Sequence, residues 1–351
     1  MTTVALDGRG AERGADAIVA GARAAAADGV DLRVYGDPRE LAAVAAIDGA
    51  ELVPASGEIT NDDDPVAAVR SRSDASVVIA CRDVAEGRAQ AIVSAGPTGA
   101  TMTAALFALR RMQGVRRPAL ALQLVVPGRE RPPSLLLDVG ANVDARAQDL
   151  VQFAYLGTAF SEVVLGVSRP RVALLSVGEE PGKGSAEVVE AHGRLADAAG
   201  LDFRGNVEGR DLLGDLADVI VTDGFTGNVV LKTVEGTARA VGDAVRAAAR
   251  SGPVAGLGGL LLGPALGGLR RQMDPDTTGG AILLGLRGVA VVGHGSSGPD
   301  GIANAIRLAA RAVDEGAVER TAGLLGRSGM TRGALRERTD PVAGGRDRKG
   351  A

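Results

Sequence analysis

Glycine-rich segments that contain Lys, His, Asp or Asn follow several short apolar runs of this 351-residue chain. Lys183 stands between two glycines in PGKGS, and His294 lies in GHGSSG directly after VAVV. A mobile cation among loops that offer many backbone N–H groups suits a dianionic ligand such as phosphate. Asp and Asn also favour such loops for local turn formation. The remaining candidates of this kind are Asp138, Asn142, Asp223 and Asn228.

Three glycine-rich segments resemble nucleotide-binding motifs. DGRGAERG at 7–14 has its glycines one position away from the dinucleotide spacing, so it fails that fingerprint. VGEEPGKGS at 177–185 lacks the P-loop spacing, and a glycine follows the lysine where Ser or Thr should stand. GHGSSG at 293–298 matches G-x-G-x-x-G, but no strand with a terminal acidic residue follows it. We interpret it as an anion-binding loop rather than a dinucleotide site.

Histidine and cysteine are rare in the chain, which contains two His and one Cys. His294 is the better candidate for a hydrogen-bond donor or proton shuttle, because His192 lies in a helical pattern typical of a surface. Cys81 lies in the apolar run SVVIAC and is interpreted as a buried core thiol rather than a nucleophile. Neither zinc-ligand spacing nor a Ser-His-Asp elbow occurs, so no metal and no cofactor are expected.

The composition indicates a globular protein whose core is built from Ala, Val, Leu and Ile. Hydrophobic residues make up 46% of the chain, but aromatic residues only 2%, with no Trp. Lys and Arg total 39 against 43 acidic residues, and the net charge of −4 argues against a nucleic-acid partner. The sequence enters the apolar run TVALD without the basic and apolar regions of a secretory signal, so a cytoplasmic protein is expected.

Short apolar runs alternate with Ala-rich helical patterns along the chain. Such runs are typical of strands buried on both faces of a parallel sheet, and the alternation predicts a doubly wound α/β fold with a mostly parallel sheet. Because ligands bind at the carboxyl ends of parallel strands, the glycine loops are expected to converge on one pocket at one edge of the sheet. The runs interpreted as strands are 4–7, 32–36, 76–80, 91–96, 134–140, 171–178, 218–224 and 289–295.

The chain is expected to form a single α/β catalytic unit over residues 1–330. A disordered tail rich in Arg, Asp and Gly is expected over 331–351. The Leu-rich segment at 251–272 is too interrupted to span a membrane and predicts two short amphipathic helices joined at Pro264, within a helical hairpin over about 245–275. Three uses of this hairpin stay open: a dimer contact, a membrane-surface contact, or a helical pair buried in a subunit interface.

Nine motifs follow one another along the chain: SAGPTGA at 94–100, RPALA at 117–121, LLDVGAN at 136–142, QFAYLG at 152–157, PGKGS at 181–185, FRGNVEGRDLL at 203–213, DVIVTDGFTGNVVLKTVEG at 218–236, GGAILLGL at 279–286 and HGSS at 294–297. Taken in this order, they resemble the bacterial phosphate acyltransferase family of phospholipid synthesis (PlsX). The resemblance extends from about residue 4 to about residue 313. It implies a three-layer α/β fold similar to phosphotransacetylases and isocitrate dehydrogenase-like enzymes.

The resemblance also implies an activity, the conversion of fatty acyl-[acyl-carrier protein] and inorganic phosphate to acyl-phosphate and free carrier protein. It implies a homodimer in the cytoplasm that associates peripherally with the inner face of the cell membrane. There a membrane glycerol-3-phosphate acyltransferase takes the acyl-phosphate for phospholipid synthesis. The family has hydrophobic membrane-contacting tips in the region of the Leu-rich segment, which in this chain contains Leu257, Leu260, Leu261 and Leu262.

A role for each candidate residue follows from the resemblance and the chemistry of the loops. Phosphate is largely dianionic near neutral pH and a thiolate leaves readily, so direct attack without a covalent enzyme intermediate is expected. Lys183 and the loop at 94–99 are assigned to phosphate, with His294 and Asn228 as oxyanion donors. The set comprises Lys183, His294, Asn228 and Asp223 as catalytic residues, Ser94, Gly96, Thr98, Gly99, Asn142 and Ser296 as phosphate-binding residues, and Asp7 and Asp138 as loop-orienting residues.

Two departures from the family pattern fall on the predicted phosphate loops. Family members begin with DAMGGD, whereas here Arg9 replaces an apolar residue and Glu12 replaces the second Asp. Pro97 stands where the family has Asn, and it removes both an amide side chain and a backbone donor. Compensation of this lost donor by Arg9 is a hypothesis.

Other functions stay open at this point. One is a short-chain phosphotransacetylase that uses coenzyme A, and a related one is a dehydrogenase that uses the GHGSSG loop. The altered loops also permit a catalytically silent scaffold that recruits partners of lipid synthesis to the membrane.

Overall fold

A single large sheet forms the centre of the protein. The computed structural model describes residues 1–125, 131–272 and 275–327, so the tail predicted at 331–351 lies outside the described residues. Within them the strands are β1 (Thr3–Asp7), β2 (Asp31–Gly36), β3 (Ala50–Pro54), β4 (Ala91–Ser94), β5 (Ala119–Leu124), β6 (Ser134–Leu137), β7 (Arg171–Leu175), β8 (Asp202–Val207), β9 (Val219–Val221), β10 (Ala281–Leu284) and β11 (Val289–Val292).

Helices cover both faces of the sheet, so the predicted three-layer α/β fold is confirmed. The buried side chains of α1, α5, α6, α9 and α10 pack on one face, and those of α2, α3 and α4 pack on the other. The helices are α1 (Gly14–Ala27), α2 (Pro65–Ser71), α3 (Ser76–Ala85), α4 (Thr98–Leu109), α5 (Ala147–Val163), α6 (Ala186–Ala196), α7 (Gly224–Ala249), α8 (Pro253–Gln272), α9 (Pro299–Asp314) and α10 (Ala317–Arg327), with short 3-10 helices at Ala42–Ala46, Gly209–Asp211 and Pro275–Thr277.

The strands lie in the order β3-β2-β1-β4-β11-β10-β5-β6-β9-β7-β8. Among the described strand pairs seven are parallel, and only β11 with β10, β10 with β5, and β5 with β6 are antiparallel. The mostly parallel sheet is therefore confirmed. Because these three antiparallel pairs are consecutive, β6 to β9 run opposite to β1, β4 and β11. The expectation that all glycine loops leave the sheet at one edge is wrong.

The apolar run at 76–80 is helical, and its interpretation as a strand is wrong. It forms the first half of α3, in which Val77, Ala80, Cys81 and Val84 are buried. Their spacing of three, one and three residues is that of one face of a helix packed on the sheet. A five-residue apolar run does not by itself separate a buried strand from a buried helical segment.

Four strands were not recognised among the apolar runs. β3 and β8 form the two edges of the sheet, and their sequences AELVP and DFRGNV are too polar to resemble a buried strand. β5 and β10 lie at the centre, where ALALQL and AILL are rich in Ala and Leu, which are equally common in helices. These two central strands contain the change of strand direction.

Helices α7 and α8 form the predicted helical hairpin, but its turn lies elsewhere than expected. α7 ends at Ala249, and α8 starts with Pro253 in the first helical position, which proline favours. Because α8 continues to Gln272, the prediction of two short helices joined at Pro264 is wrong. Within the described part of the chain, no helix combines the length and the apolar character needed to cross a membrane.

Candidate active site

A cavity of about 560 Å³ lies where loops from both sets of strands meet. Gly96 and Gly293, which follow β4 and β11, line one side of it, and Gly140, after β6, lines another. Leu120, Leu122 and Leu124 of β5 also line it. Since alternate residues of a strand share one face, the cavity follows the face of β5. In this way loops from opposite ends of antiparallel strands border the same space.

The loops after β1, β4 and β11 are joined by hydrogen bonds beneath the cavity. The Ser94 hydroxyl donates to the Asp7 carboxylate at 2.7 Å, and the Gly96 N–H donates to the Ser94 hydroxyl oxygen at 3.1 Å. The Gly293 N–H donates to the Ser94 carbonyl at 2.8 Å. Ser94 and Asp7 are buried and do not line the cavity themselves. They orient the loops that do.

The carboxyl group of Asp7 has a higher pKa than an ordinary aspartate side chain. Burial raises its pKa from 3.8 to about 6, while hydrogen bonds from Ser76 and Ser94 act in the opposite direction. The nearby Glu58 carboxylate adds a smaller increase. The protonation state of the group beneath the β4 loop therefore changes between weakly acidic and neutral pH.

The N-terminus of α4 opens into the cavity. Pro97 is its N-cap residue and provides no side-chain cap, and Pro97 and Thr98 both line the cavity with Gly96. The first amides of a helix have no partner within the helix, and the helix dipole favours an anion beside them. Helix N-termini of this kind are able to bind anions such as phosphate groups.

Asp138 organises the loop after β6 through five hydrogen bonds. Its carboxylate accepts the backbone N–H groups of Leu120, Gly140, Ala141 and Asn142 at 2.7–3.1 Å. It also accepts the Asn142 side-chain amide at 2.8 Å. Burial raises the pKa of Asp138, and the hydrogen bonds from Ala141, Asn142, Leu120 and Gly140 oppose this. Asp138 thus fixes the geometry of the loop, and the amide of Asn142 is used for the same purpose.

Helix α7 begins against this loop at very short range. Its first amide, Gly224 N–H, donates to the Asn142 carbonyl at 2.8 Å. Asp223 caps the helix by accepting the Thr226 N–H and hydroxyl, both at 2.8 Å. A Cβ atom added to Gly227 would lie 1.9 Å from the Asp138 carbonyl oxygen, so only glycine permits this packing. The position of α7 directs Asn228 into the cavity lining.

One turn further along α7, Lys232 meets two other groups in the cavity lining. Its ammonium lies 3.0 Å from the Glu235 carboxylate and 3.3 Å from His294 Nε2. His294 Nδ1 lies 2.8 Å from the Ser296 hydroxyl. A cation, a carboxylate and an imidazole therefore occupy one wall of the cavity.

The structure brings some predicted site residues together and separates others. Asn228, His294, Gly96 and Thr98 line the cavity, and Ser296 contacts His294. Gly99 follows within the first turn of α4, where its α-carbon faces Pro65. Residues that support the lining without joining it are Asp7, Ser94, Asp138, Asn142 and Asp223.

Two basic residues singled out in the sequence lie away from the cavity lining. Lys183 is exposed on the loop after β7, where its carbonyl accepts the Ser176 hydroxyl at 2.8 Å. Its assignment to phosphate stays a prediction. The guanidinium of Arg9 lies 3.4–3.6 Å from three carboxylates, so it is not positioned to replace the donor lost at Pro97. Those carboxylates belong to Asp37, Glu40 and Glu58.

The sequence patterns identified Asn228 but did not single out Lys232 and Glu235 on α7 or the apolar wall on β5. The sequence spacing could have identified the α7 residues. Asn228, Lys232 and Glu235 are separated by four and three residues and so share one face of a helix. Predicting the apolar wall depended on recognising β5 as a strand. Once it is known to be one, Leu120, Leu122 and Leu124 must point to the same side.

A thiol nucleophile and a metal site each place requirements on the described residues. Cys81 is buried in the core, and burial raises the pKa of its thiol, which disfavours the thiolate needed for nucleophilic attack. Within residues 1–125, 131–272 and 275–327, no three His, Cys, Asp or Glu side chains are grouped closely enough to hold a metal ion.

Solved structures with a similar fold include phosphotransacylases. A branched-chain phosphotransacylase from Enterococcus faecalis V583 matches with a TM-score of 0.58 and 16% identity, covering 89% of this chain and 99% of that chain. A phosphotransacetylase from Staphylococcus aureus matches with a TM-score of 0.56 and 18% identity, and the match covers 88% of this chain and 94% of that chain. At such identities the likeness shows the fold alone. It defines an α/β protein with the fold of the phosphotransacetylases.

Sequence relatives define the family more narrowly. The family model described as "Fatty acid synthesis protein" matches residues 2–320. The phosphate acyltransferase of Heliobacterium modesticaldum is 44% identical over 319 residues, covering 89% of this chain and 94% of the relative. The phosphate acyltransferase of Thermobifida fusca is 46% identical over 317 residues, which cover 87% of this chain and 86% of the relative. The chain belongs to the phosphate acyltransferase family, which confirms the resemblance seen in its motifs, and it is an acyltransferase.

Replacing Gly227 by Ala tests the close packing of α7 on the β6 loop. The added methyl group meets a backbone carbonyl, so we expect Gly227→Ala to lower the free energy of unfolding by about 1–3 kcal/mol in urea titrations. The matched control is Gly236→Ala on the same helix, where a Cβ meets nothing within 4 Å. There alanine should stabilise by up to about 1 kcal/mol. Equal effects of the two substitutions would contradict the packing argument.

The raised pKa of Asp7 predicts a pH-dependent stability. Its pKa of about 6 in the folded protein exceeds that of an unfolded Asp, so Asp7 contributes stability below about pH 4 that is lost as the pH rises through about 6. Asp7→Asn removes this titration. Between about pH 4 and pH 8 the free energy of unfolding of the variant should rise by about 3 kcal/mol relative to wild type. A difference that does not change with pH would show that Asp7 titrates normally.

Proposed function

We propose that this acyltransferase moves a fatty acyl group from the thioester of an acyl-carrier protein to inorganic phosphate. The products are acyl-phosphate and free carrier protein. The observation that carries the proposal is that one cavity joins an apolar wall to an anion-binding end. Names of the relatives support phosphate as the acceptor, and the match to a fatty acid synthesis family supports a fatty acyl donor.

The anion-binding end of the cavity suits inorganic phosphate. The uncapped N-terminus of α4 offers amides beside Gly96 and Thr98, which both line the cavity. Pro97 contributes no N–H, so the first amide available is that of Thr98. Such amides bind an oxyanion without a metal or a base, because they are fixed donors in a partly enclosed site.

The apolar wall suits an acyl chain. Leu120, Leu122 and Leu124 present one face of β5 to the cavity, and Leu231 and Val234 of α7 complete the wall. Burial of methylene groups against such a wall contributes favourable free energy in proportion to the area removed from water. The carbonyl end of the chain would then lie near Asn228, where α7 approaches the anion-binding loops.

The reaction needs positioning more than activation. A phosphate oxygen attacks the thioester carbonyl carbon and forms a C–O bond, which gives a tetrahedral oxyanion. The C–S bond then breaks, its electron pair goes to sulfur, and the carrier leaves as a thiolate that takes a proton from water. The Asn228 side-chain amide is our assignment as an oxyanion donor, with His294 as a second candidate. Holding the two reactants together replaces covalent catalysis.

The product and the helical hairpin suggest a role at the membrane in phospholipid synthesis. An acyl-phosphate is a reactive mixed anhydride, so a membrane glycerol-3-phosphate acyltransferase is the partner we propose to consume it. The leucines of α8 support peripheral membrane contact, with Leu260 and Leu261 about three-quarters exposed. Exposed apolar residues along α7 support a homodimer; these are Phe225, Val229, Val241 and Val245.

The proposed activity is tested by incubating the chain with palmitoyl-carrier protein and phosphate while free carrier thiol is measured. Release that depends on both protein and phosphate is expected. Acetyl-coenzyme A replaces the carrier in a parallel assay, and preference for it would support a short-chain phosphotransacetylase. NAD-dependent absorbance change would support a dehydrogenase. Carrier binding with no thiol release would support a scaffold and reject the enzyme proposal.

The hairpin proposal is tested with a Leu260→Ser, Leu261→Ser double variant. Because both side chains are exposed on α8, we expect weaker flotation with phosphatidylcholine–phosphatidylglycerol vesicles and an unchanged dimer mass in analytical ultracentrifugation. Val66→Ser on α2 removes an exposed apolar side chain outside the hairpin and serves as the control. If the double variant floats as well as the Val66→Ser control, the hairpin is not the membrane contact.

A further inference from the structure

The ammonium group of Lys232 belongs to the lining of the cavity. Among the described residues that line it, Lys232 is the only Lys or Arg, and the other charged residues are the carboxylates Glu12 and Glu235. Without Lys232, the only charged side chains that a dianionic phosphate at the N-terminus of α4 would meet in this lining are carboxylates. Coulomb repulsion in a partly enclosed site would weaken its binding. Among these lining side chains, Lys232 is therefore the one that can offset the charge of an anionic ligand.

The contacts of Lys232 hold its ammonium in a defined position. Glu235, whose side chain is 14% exposed, accepts one N–H at 3.0 Å, and His294 Nε2 lies at 3.3 Å. An ammonium has three donors and no lone pair, so these described partners use two donors and leave one for a ligand. The spacing of Lys232 and Glu235 by three residues on α7 brings them together without bending the helix.

The same contact decides which nitrogen of His294 carries the proton. Because an ammonium can only donate, Nε2 must accept, and the proton of the neutral ring lies on Nδ1, 2.8 Å from the Ser296 hydroxyl oxygen. The Ser296 backbone N–H, 3.3 Å from Nδ1, favours the other tautomer. That tautomer would direct the Nε2–H at the Lys232 ammonium, and the Glu235 carboxylate, which is farther from Nε2 at 3.9 Å, offsets only part of this repulsion. His294 then has no Nε2–H to donate into the cavity.

We propose that Lys232 is a catalytic residue that contacts the attacking phosphate and is held in place by Glu235 and by His294 as a hydrogen-bond acceptor. This inference rests on the proposed function and deepens it. It changes the expected role of His294 from oxyanion donor or proton shuttle to positioning residue. The ammonium neutralises phosphate next to the α4 amides and remains bound to the phosphoryl oxygens while the C–S bond breaks.

The proposal is tested by phosphate titrations of the full chain with saturating palmitoyl-carrier protein. We expect Lys232→Ala to lower kcat/KM for phosphate by about 100-fold, the usual cost of removing a preorganised donor to a developing charge. Lys232→Arg keeps the positive charge and should retain part of the kcat/KM for phosphate that Lys232→Ala loses. The control Arg246→Ala removes one positive charge from the same helix and should behave as wild type. Near-normal kcat/KM for phosphate in a folded Lys232→Ala protein would overturn the proposal.

The role of His294 is tested by two substitutions. The amide oxygen of Gln reaches about as far as Nε2 and can accept from Lys232, so His294→Gln should keep KM for phosphate and the pH profile of wild type. His294→Leu removes the acceptor and should raise KM for phosphate. A proton shuttle would instead lose kcat in both variants, with loss of one limb of the pH profile. That result would reject the positioning role.

Binding of inorganic phosphate, measured by calorimetry, separates this proposal from the proposed function. Phosphate binding by wild type that Lys232→Ala abolishes would support the role of Lys232 even if no carrier thiol were released. In that case the acyl-transfer proposal alone would fail. Equal phosphate binding by the two proteins, or none by either, would reject Lys232 as the phosphate contact even if thiol release by wild type were normal.

Discussion

The geometry of the cavity depends on the hydrogen bonds that the buried carboxylate of Asp138 accepts. A buried charge is costly unless hydrogen bonds replace its water, and Asp138 accepts five, four from backbone amides and one from Asn142. These bonds tie β5 to the loop after β6. The Asn142 carbonyl then accepts the first amide of α7, and glycine at 227 allows the helix to approach. The directions of Asn228 and Lys232 follow from that contact.

The opposite wall of the cavity is held independently. Asp7 and Ser94 fix the β4 loop from below, and the Glu12 N–H donates to the Gly295 carbonyl at 2.9 Å, which joins the β1 and β11 loops. The two walls belong to sets of strands that run in opposite directions, with β10 and β5 between them. In the acyl transfer that we propose, the amides of α4 on one wall would bind phosphate, while Lys232 and the oxyanion donor Asn228 would act from the other.

Sequence patterns predicted the α/β class and several of the loops that border the cavity, because the buried strands before these loops end in glycine and polar residues. The predictions were wrong where one apolar pattern is compatible with both a strand and a helix. The run at 76–80 fits either a strand or a helix, and only its continuation to the buried Val84 favours the helix. β5 was missed because its leucines are equally common in helices. Lys232 was missed because a cation on a helix is usually solvated, and only the folded chain brings it to His294.

The function that we propose makes phosphate the acceptor of the acyl group within this cavity. It is tested most directly by supplying phosphate labelled with ¹⁸O and analysing the acyl product by mass spectrometry. Transfer of the acyl group to phosphate predicts acyl-phosphate that keeps all of the labelled phosphate oxygens, including the one that bridges to the carbonyl carbon. Free fatty acid as the only acyl product, formed at the same rate with and without phosphate, would contradict the account.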